Sequence, residues 1–174
     1  MIKSKLYGFI AMLSSIFSCA TIPTDIRAVE NFDLEKYLGT WYEIARLDHS
    51  FERNLIKVTA TYSKRDDGGV KVLNQGYDKT TGELSTAEGK AYFVEDADTG
   101  RLKVSFFGPF YGGYNIFDLD EQNYEYAMIC GNSKDYLWIL SRKPTLDETI
   151  LNRLLEKAKA LGFETDKLIY PQEN

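Results

Sequence analysis

The sequence predicts an all-β fold: an eight-stranded up-and-down antiparallel barrel, one C-terminal α-helix packed outside it, and a short final strand. Three observations carry that reading. Eight runs of six to ten residues between Trp41 and Arg142 alternate β-branched or aromatic residues with polar ones. Turn formers such as Asp66-Asp67-Gly68-Gly69, Asp96 to Gly100 and Asn132-Ser133 fall between them. A single apolar stripe at helical spacing follows the eighth run.

The runs are Trp41–Arg46, Lys57–Lys64, Val70–Asp78, Ser85–Val94, Arg101–Phe107, Tyr114–Leu119, Tyr124–Gly131 and Tyr136–Arg142. In the second, Val58, Ala60 and Tyr62 share one face. In the fifth, Leu102, Val104 and Phe106 do. Such alternation gives each strand one dry and one wet face. Eight strands of this kind hide their edges by closing on themselves, with the dry faces inward. The helix is expected to start at a capping box, Thr145 as N-cap with Glu148 three residues on. Ile150, Leu151, Leu154, Leu155, Ala158 and Leu161 form its stripe, and Gly162 stops it. Lys167–Tyr170, ahead of Pro171, reads as the last strand. Residues 32–174 form one domain.

Composition narrows the function. Among 174 residues, 21 are Lys or Arg and 26 are Asp or Glu, a net charge of −5. No basic excess exists to neutralise phosphates, so nucleic acid is not an expected partner. His49 is the only histidine, and Cys19 and Cys130 are the only cysteines. No metal site or cofactor is expected, and a single loop histidine disfavours haem.

The first 18 residues read as an address. Lys3 and Lys5 precede an uncharged stretch from Leu6 to Ser18, short of the ~20 residues that cross a bilayer. Ile16-Phe17-Ser18-Cys19 resembles the lipobox of bacterial lipoproteins, which implies that Cys19 is lipidated and becomes the mature N-terminus. Ala20 after it resembles the outer-membrane sorting choice. Residues 19–31 then read as a lipidated N-terminus and tether.

The inward faces mix small residues (Ala45, Ala60, Ala87, Gly89, Ala91) with large ones (Tyr62, Phe106, Tyr114, Trp138). Two readings stand: complementary packing of a filled core, or an apolar cavity with an aromatic mouth. In the cavity reading the lining is Val58, Ala60, Tyr62, Val72 and Asn74 from the second and third strands. Ala87, Val104, Phe106, Tyr114 and Ile116 continue it, and Ile129, Trp138 and Leu140 complete it. Asn74, Tyr62 and Tyr114 are placed near the rim to meet a head group, and Glu43 nearer the closed end. Loops 47–56, with Phe51, and 108–113, with Phe110, are expected at the open end as lids. The second is also readable as a surface patch for self-association or membrane contact.

Gly39-Thr40-Trp41-Tyr42 resembles the Gly-x-Trp signature of the lipocalins. Tyr114–Ile129 and Tyr136–Arg142 are similar to that family's second and third regions, in the same order, although Asp118 and Glu121 depart from the second. Behind a lipobox, the likeness points to the bacterial lipocalins, which are outer-membrane lipoproteins. The resemblance implies that Trp41 caps the closed end with Arg142 across its indole, Gly39 beside them, all three structural. It also implies a carrier for fatty acid or lysophospholipid, held at the cell outer membrane through Cys19, facing the periplasm; the patch reading of loop 108–113 makes a second copy of the chain a further candidate partner. Because some lipocalins are enzymes, Cys130 is the one nucleophile to weigh; its parity with Tyr126 and Met128 points it outward, so no catalytic residue is expected. The other alternative is an interaction protein with a filled barrel.

Overall fold

The computed structural model describes residues 20–172. A helical turn α1 (Leu34–Tyr37) precedes eight strands: β1 (Gly39–Arg46), β2 (Leu55–Lys64), β3 (Val70–Asp78), β4 (Leu84–Phe93), β5 (Arg101–Ser105), β6 (Gly112–Leu119), β7 (Tyr126–Cys130) and β8 (Leu137–Ser141). Helix α2 (Glu148–Ala160) and a 3-10 turn (Thr165–Lys167) follow. Each strand pairs antiparallel with the next, and β8 returns to β1, closing the barrel. Loops 47–54, 79–83, 106–111 and 131–136 therefore share one end, the open one. Trp41, α1 and the turns 65–69, 94–100 and 120–125 share the other.

The register slips at three places, one of them between Ile56 and Thr59 of β2, and the other two serve the helix. The register of β1 against β8 slips between Glu43 and Ala45. Ile44 and Ala45 consequently both face outward under α2, and Arg46 returns to the interior. Ala45 is thus not an inward residue, because a bulge inverts the parity that simple alternation assumes. The slip in β6 between Ile116 and Asp118 likewise turns Phe117 and Asp118 outward. Phe117 stacks on Phe163 at 5.6 Å, and Asp118 accepts from Lys157 Nζ of α2 at 2.6 Å and faces Arg153 at 3.4 Å. The departure from the family pattern at 118 therefore docks the helix. Asp118→Ala is expected to cost about 1–2 kcal/mol in denaturant unfolding, since it strips the partner from two cations at a nearly buried site.

The apolar residues form two layers. One fills the barrel around Trp41, Tyr62, Val72, Ile116 and Ile129. The other lies between barrel and helix, where Leu154 and Ala158 meet Met128, Cys130 and Ile139. The N-cap of α2 is Asp147, not Thr145: its Oδ1 accepts from the amides of Thr149 and Ile150. A carboxylate at that position also complements the helix dipole. The C-terminal segment is a single bridge rather than a strand. Arg46 and Ile169 exchange backbone hydrogen bonds, Lys57 N donates to Pro171 O, and Gln172 Nε2 donates to Val58 O. These residues fill a gap where β2, paired with β1 only from Tyr42 back to Gly39, has left it.

Residues 20–31 do not hang free as a tether. Val29 N donates to Ile116 O and Gly100 N to Val29 O, while Ile26 is buried in the layer under the helix. Thr21 O accepts from Asn115 Nδ2. Cys19, with its expected lipid, lies outside the described residues, as does the signal segment 1–18.

Candidate functional site: a cup above a tyrosine plug

At the closed end, Trp41 is fully buried and donates from Nε1 to Tyr37 O. The Arg142 guanidinium lies 3.9 Å from the indole centroid. Its nitrogens donate to Lys36 O, Thr40 O and Tyr124 O, tying α1, β1 and the β6–β7 turn together. Gly39, at φ 96°, brings the backbone beside this guanidinium; a Cβ there would sit 3.4 Å from Nη1.

Above this floor stands a plug. Tyr37 from α1 and Tyr62 from β2 each hydrogen-bond the Tyr114 hydroxyl at 2.7 Å. Desolvation raises all three phenols above their ordinary value, so they are neutral donors and acceptors. Phe32, Val72, Ala91, Leu102 and Val104 pack around them and leave an apolar space of about 10 Å³, the volume of a single water. The lower half of the barrel is filled. Tyr62 and Tyr114 do not present free hydroxyls at the rim, because their hydroxyls meet each other and Tyr37, which the alternation pattern could not bring inside.

The upper half differs. Ala60, Asn74, Phe106 and Trp138 face inward, yet all remain partly accessible to solvent, and Ala87 is exposed. The geometry behind this is a gap in the wall: β4 pairs with β5 only over Lys90–Phe93, so its upper residues, Leu84 to Glu88, have no paired strand on that side. Phe106 leans into the cup over Gly89, where a Cβ would approach its ring to 2.8 Å. Of the other candidate residues, Val58, Val72, Ile116, Ile129 and Leu140 are buried in the interior packing. Phe110 stands outside on the rim, 77% exposed.

The cup also holds charge. Arg46 is 1% exposed and donates from Nη1 to Glu43 Oε1 at 2.6 Å and from Nη2 to Glu52 O at 2.7 Å. Trp138 Nε1 donates to Glu52 Oε2 at 3.1 Å, latching loop 47–54 to β8. Burial, and then the Glu52 carboxylate, push Glu43 up to about 8 against the pull of Arg46. Burial also raises Glu52. The guanidinium bonds only the Glu43 carboxyl, while that of Glu52 meets Trp138, and burial with the mutual repulsion of the two carboxyls favours a proton on the pair near neutral pH. Glu43 therefore sits beside Arg46 in the upper half, not near the closed end. The alternation already put Glu43 on the face of Trp41; the bulge that brings Arg46 beside it left no mark in the pattern. Asn74 Oδ1 and Arg46 Nε are buried without a hydrogen-bond partner.

Two other places carry no such opening. Cys130 lies outside the barrel under α2, fully buried, its thiol pushed up to about 12 by desolvation. It is expected to stay unmodified by a thiol reagent at pH 8 until the protein is unfolded, as read by mass spectrometry. A polar cleft of about 280 Å³ between β6 and α2 is walled by Asp118, Arg153 and Lys157, already paired with one another. Among the described residues no cluster of three His, Cys, Asp or Glu is placed to hold a metal ion, and no helix is long and apolar enough to cross a membrane.

A closed eight-stranded meander with an outer helix and a one-ended opening defines a barrel-type binding protein. This chain belongs to the lipocalin family: the lipocalin-like domain matches residues 32–173. It is 54% identical over 155 residues to the outer membrane lipoprotein Blc of Vibrio cholerae, covering 89% of this chain and 91% of that one. It is 52% identical over 163 residues to the outer membrane lipoprotein Blc of Escherichia coli K12, covering 94% and 92%. Among solved structures, insecticyanin from the tobacco hornworm Manduca sexta superposes with a TM-score of 0.70 at 24% identity, covering 88% and 87%, a likeness of fold alone.

Proposed function

We propose that this chain is a lipid-anchored outer-membrane lipoprotein that binds one acyl chain, of a fatty acid or a lysophospholipid, in the upper half of its barrel and stores or transports it in the bacterial envelope. The observation that carries the reading is the set of inward-facing residues, Ala60, Phe106 and Trp138 among them, left open to solvent above a filled floor. An apolar concavity with one entrance and a few polar groups suits a ligand that is a hydrocarbon tail with a polar end. The tail enters first and stops at Tyr62 and Tyr114; the polar end stays near Asn74 and the mouth. Each methylene withdrawn from water contributes about 0.8 kcal/mol. A dozen give about 10 kcal/mol gross, which association costs reduce to roughly micromolar affinity.

The lipobox resemblance at Cys19 and the likeness to the Vibrio and Escherichia outer membrane lipoproteins support the anchor and the outer membrane. The burial of Cys130 supports binding without catalysis. The test uses the protein purified from membranes in detergent, stripped of lipid and offered lysophospholipid or fatty acid. Binding is expected to quench Trp138, while Trp41, fully buried at the floor, is left unchanged. Ala87→Trp, at an exposed position on the inner face, is expected to weaken binding at least tenfold and to change stability by less than about 0.5 kcal/mol. If neither ligand binds the stripped protein, the reading is lost.

A further inference from the structure

The hydroxyls of the tyrosine plug do not balance. Tyr37 and Tyr62 each share one hydrogen bond with Tyr114, so three O–H protons stand against two bonds. Whichever oxygen donates in each pair, one proton is left without an acceptor. Among the described residues no further hydrogen bond reaches any of the three oxygens. Phe32, Val72, Ala91, Leu102 and Val104 line the small space beside them, and all five are apolar. That space has room for one water, but a buried water needs two to four polar partners, which this wall does not supply. A donor left unmatched in such surroundings costs stability until something else meets it.

A second observation is the room above the plug. Tyr62, Val72 and Gly89 lie in register across β2, β3 and β4. On the same inner face, the next row toward the mouth holds Ala60 on β2 and Ala87 on β4. A methyl side chain is too short to cover the tyrosines, and Ala60 is partly accessible while Ala87 is exposed. The phenols are therefore the floor that the inner end of a bound ligand meets. No charge is on offer there. Arg142 lies against Trp41 with its nitrogens given to Lys36 O, Thr40 O and Tyr124 O, and Arg46 is held by Glu43 and Glu52 O.

We propose that the plug is a hydrogen-bond donor to the inner end of the cargo, so that the cup selects an acyl ligand carrying an uncharged oxygen, hydroxyl or carbonyl, where it reaches Tyr62 and Tyr114. The inference rests on the acyl reading above and adds the chemistry of the chain's inner end. A ligand hydroxyl accepts the spare proton and returns its own to a phenol oxygen; a carbonyl accepts only. An ionised carboxylate is refused, because no guanidinium is left to balance it in a dry site. When the chain enters tail first, the oxygen belongs to its far end. A protonated carboxyl entering head first brings the same chemistry, and the two sources are separable.

The test uses the full protein purified from membranes in detergent and stripped of lipid, with quenching of Trp138 as the readout. Two lysophosphatidylcholines of equal chain length are compared, one ending in a methyl group and one in a hydroxymethyl group. In a purely apolar site the added hydroxyl weakens binding. Here it is expected to tighten binding by about fivefold or more. Tyr37→Phe, Tyr62→Phe and Tyr114→Phe combined keep the rings and remove the hydroxyls, and the preference is expected to reverse. Tyr62→Phe alone leaves two hydroxyls, one bond and one spare proton, and is expected to keep the preference. The carboxyl source is read with a plain fatty acid: head-first binding predicts that the triple variant loses affinity for it by about fivefold or more, while methyl-ended lysophosphatidylcholine binds as before. If the hydroxyl end brings no gain and the fatty acid loses nothing in the variant, the proposal is overturned. A gain that persists in the triple variant overturns it too, since other groups then meet the oxygen. Equal binding of both chain ends leaves the acyl reading standing, whereas binding of none of these lipids removes that reading and this one with it.

Discussion

Glu43→Leu is expected to destabilise the protein by about 3–5 kcal/mol in denaturant unfolding, because it leaves the Arg46 guanidinium buried with one of its terminal nitrogens unmatched. The pH dependence identifies the group responsible. A free glutamate releases its proton near 4.5, whereas folded Glu43 holds it to about 8. Between those values the folded chain binds more protons than the unfolded one. Stability therefore falls as pH rises across that window, by up to roughly 1.4 kcal/mol per pH unit for one proton. Glu43→Gln keeps an oxygen acceptor for Arg46 Nη1 but cannot titrate. It is expected to flatten the slope, with stability near that of the unaltered protein at pH 5 and above it at pH 8. A slope that survives in Glu43→Gln would assign the proton to Glu52 instead, the other carboxyl in the cup.

Trp41→Ala is expected to cost about 3–5 kcal/mol, the range for emptying a fully buried large aromatic site. The loss has three physical parts: the cavity itself, the cation–π contact with Arg142, and the hydrogen bond to Tyr37 O that holds α1 beneath the barrel. Arg142→Lys is expected to lose less, keeping a charge but not the fan of donors that reaches Lys36 O, Thr40 O and Tyr124 O. The denaturation midpoints of the two variants order these contributions.

The barrel, its strand order and the outer helix were legible in the sequence because each strand repeats one signal, a period of two ending in a turn former. Trp41, Gly39 and Arg142 stand out as local motifs, and the contact between Trp41 and Arg142 is where the resemblance places it. The cup was less legible. Alternation tells which side chains point inward but not at what height they stop, and the height at which Tyr37, Tyr62 and Tyr114 meet decides where filled core ends and open space begins. Tyr37 belongs to a single helical turn, too short to announce itself by periodicity. Arg46 reaches the interior through a bulge, and bulges shift parity without a residue signature of their own. The pinned N-terminal segment was hidden for a related reason: ATIPTDIRAVEN carries few apolar residues, yet Ile26 and Val29 suffice to seat it.

The contribution of Ile169, Pro171 and Gln172 to the wall between β1 and β2 bears on the order of assembly during synthesis. The amides of Arg46 and Lys57, made early, find their partners only in residues that follow all eight strands and α2 in the chain. A nascent chain short of that point has both amides still waiting at the seam. The seam of the vessel is thus closed by a segment made after its staves, and a chain that stops short of Ile169 leaves it unsealed.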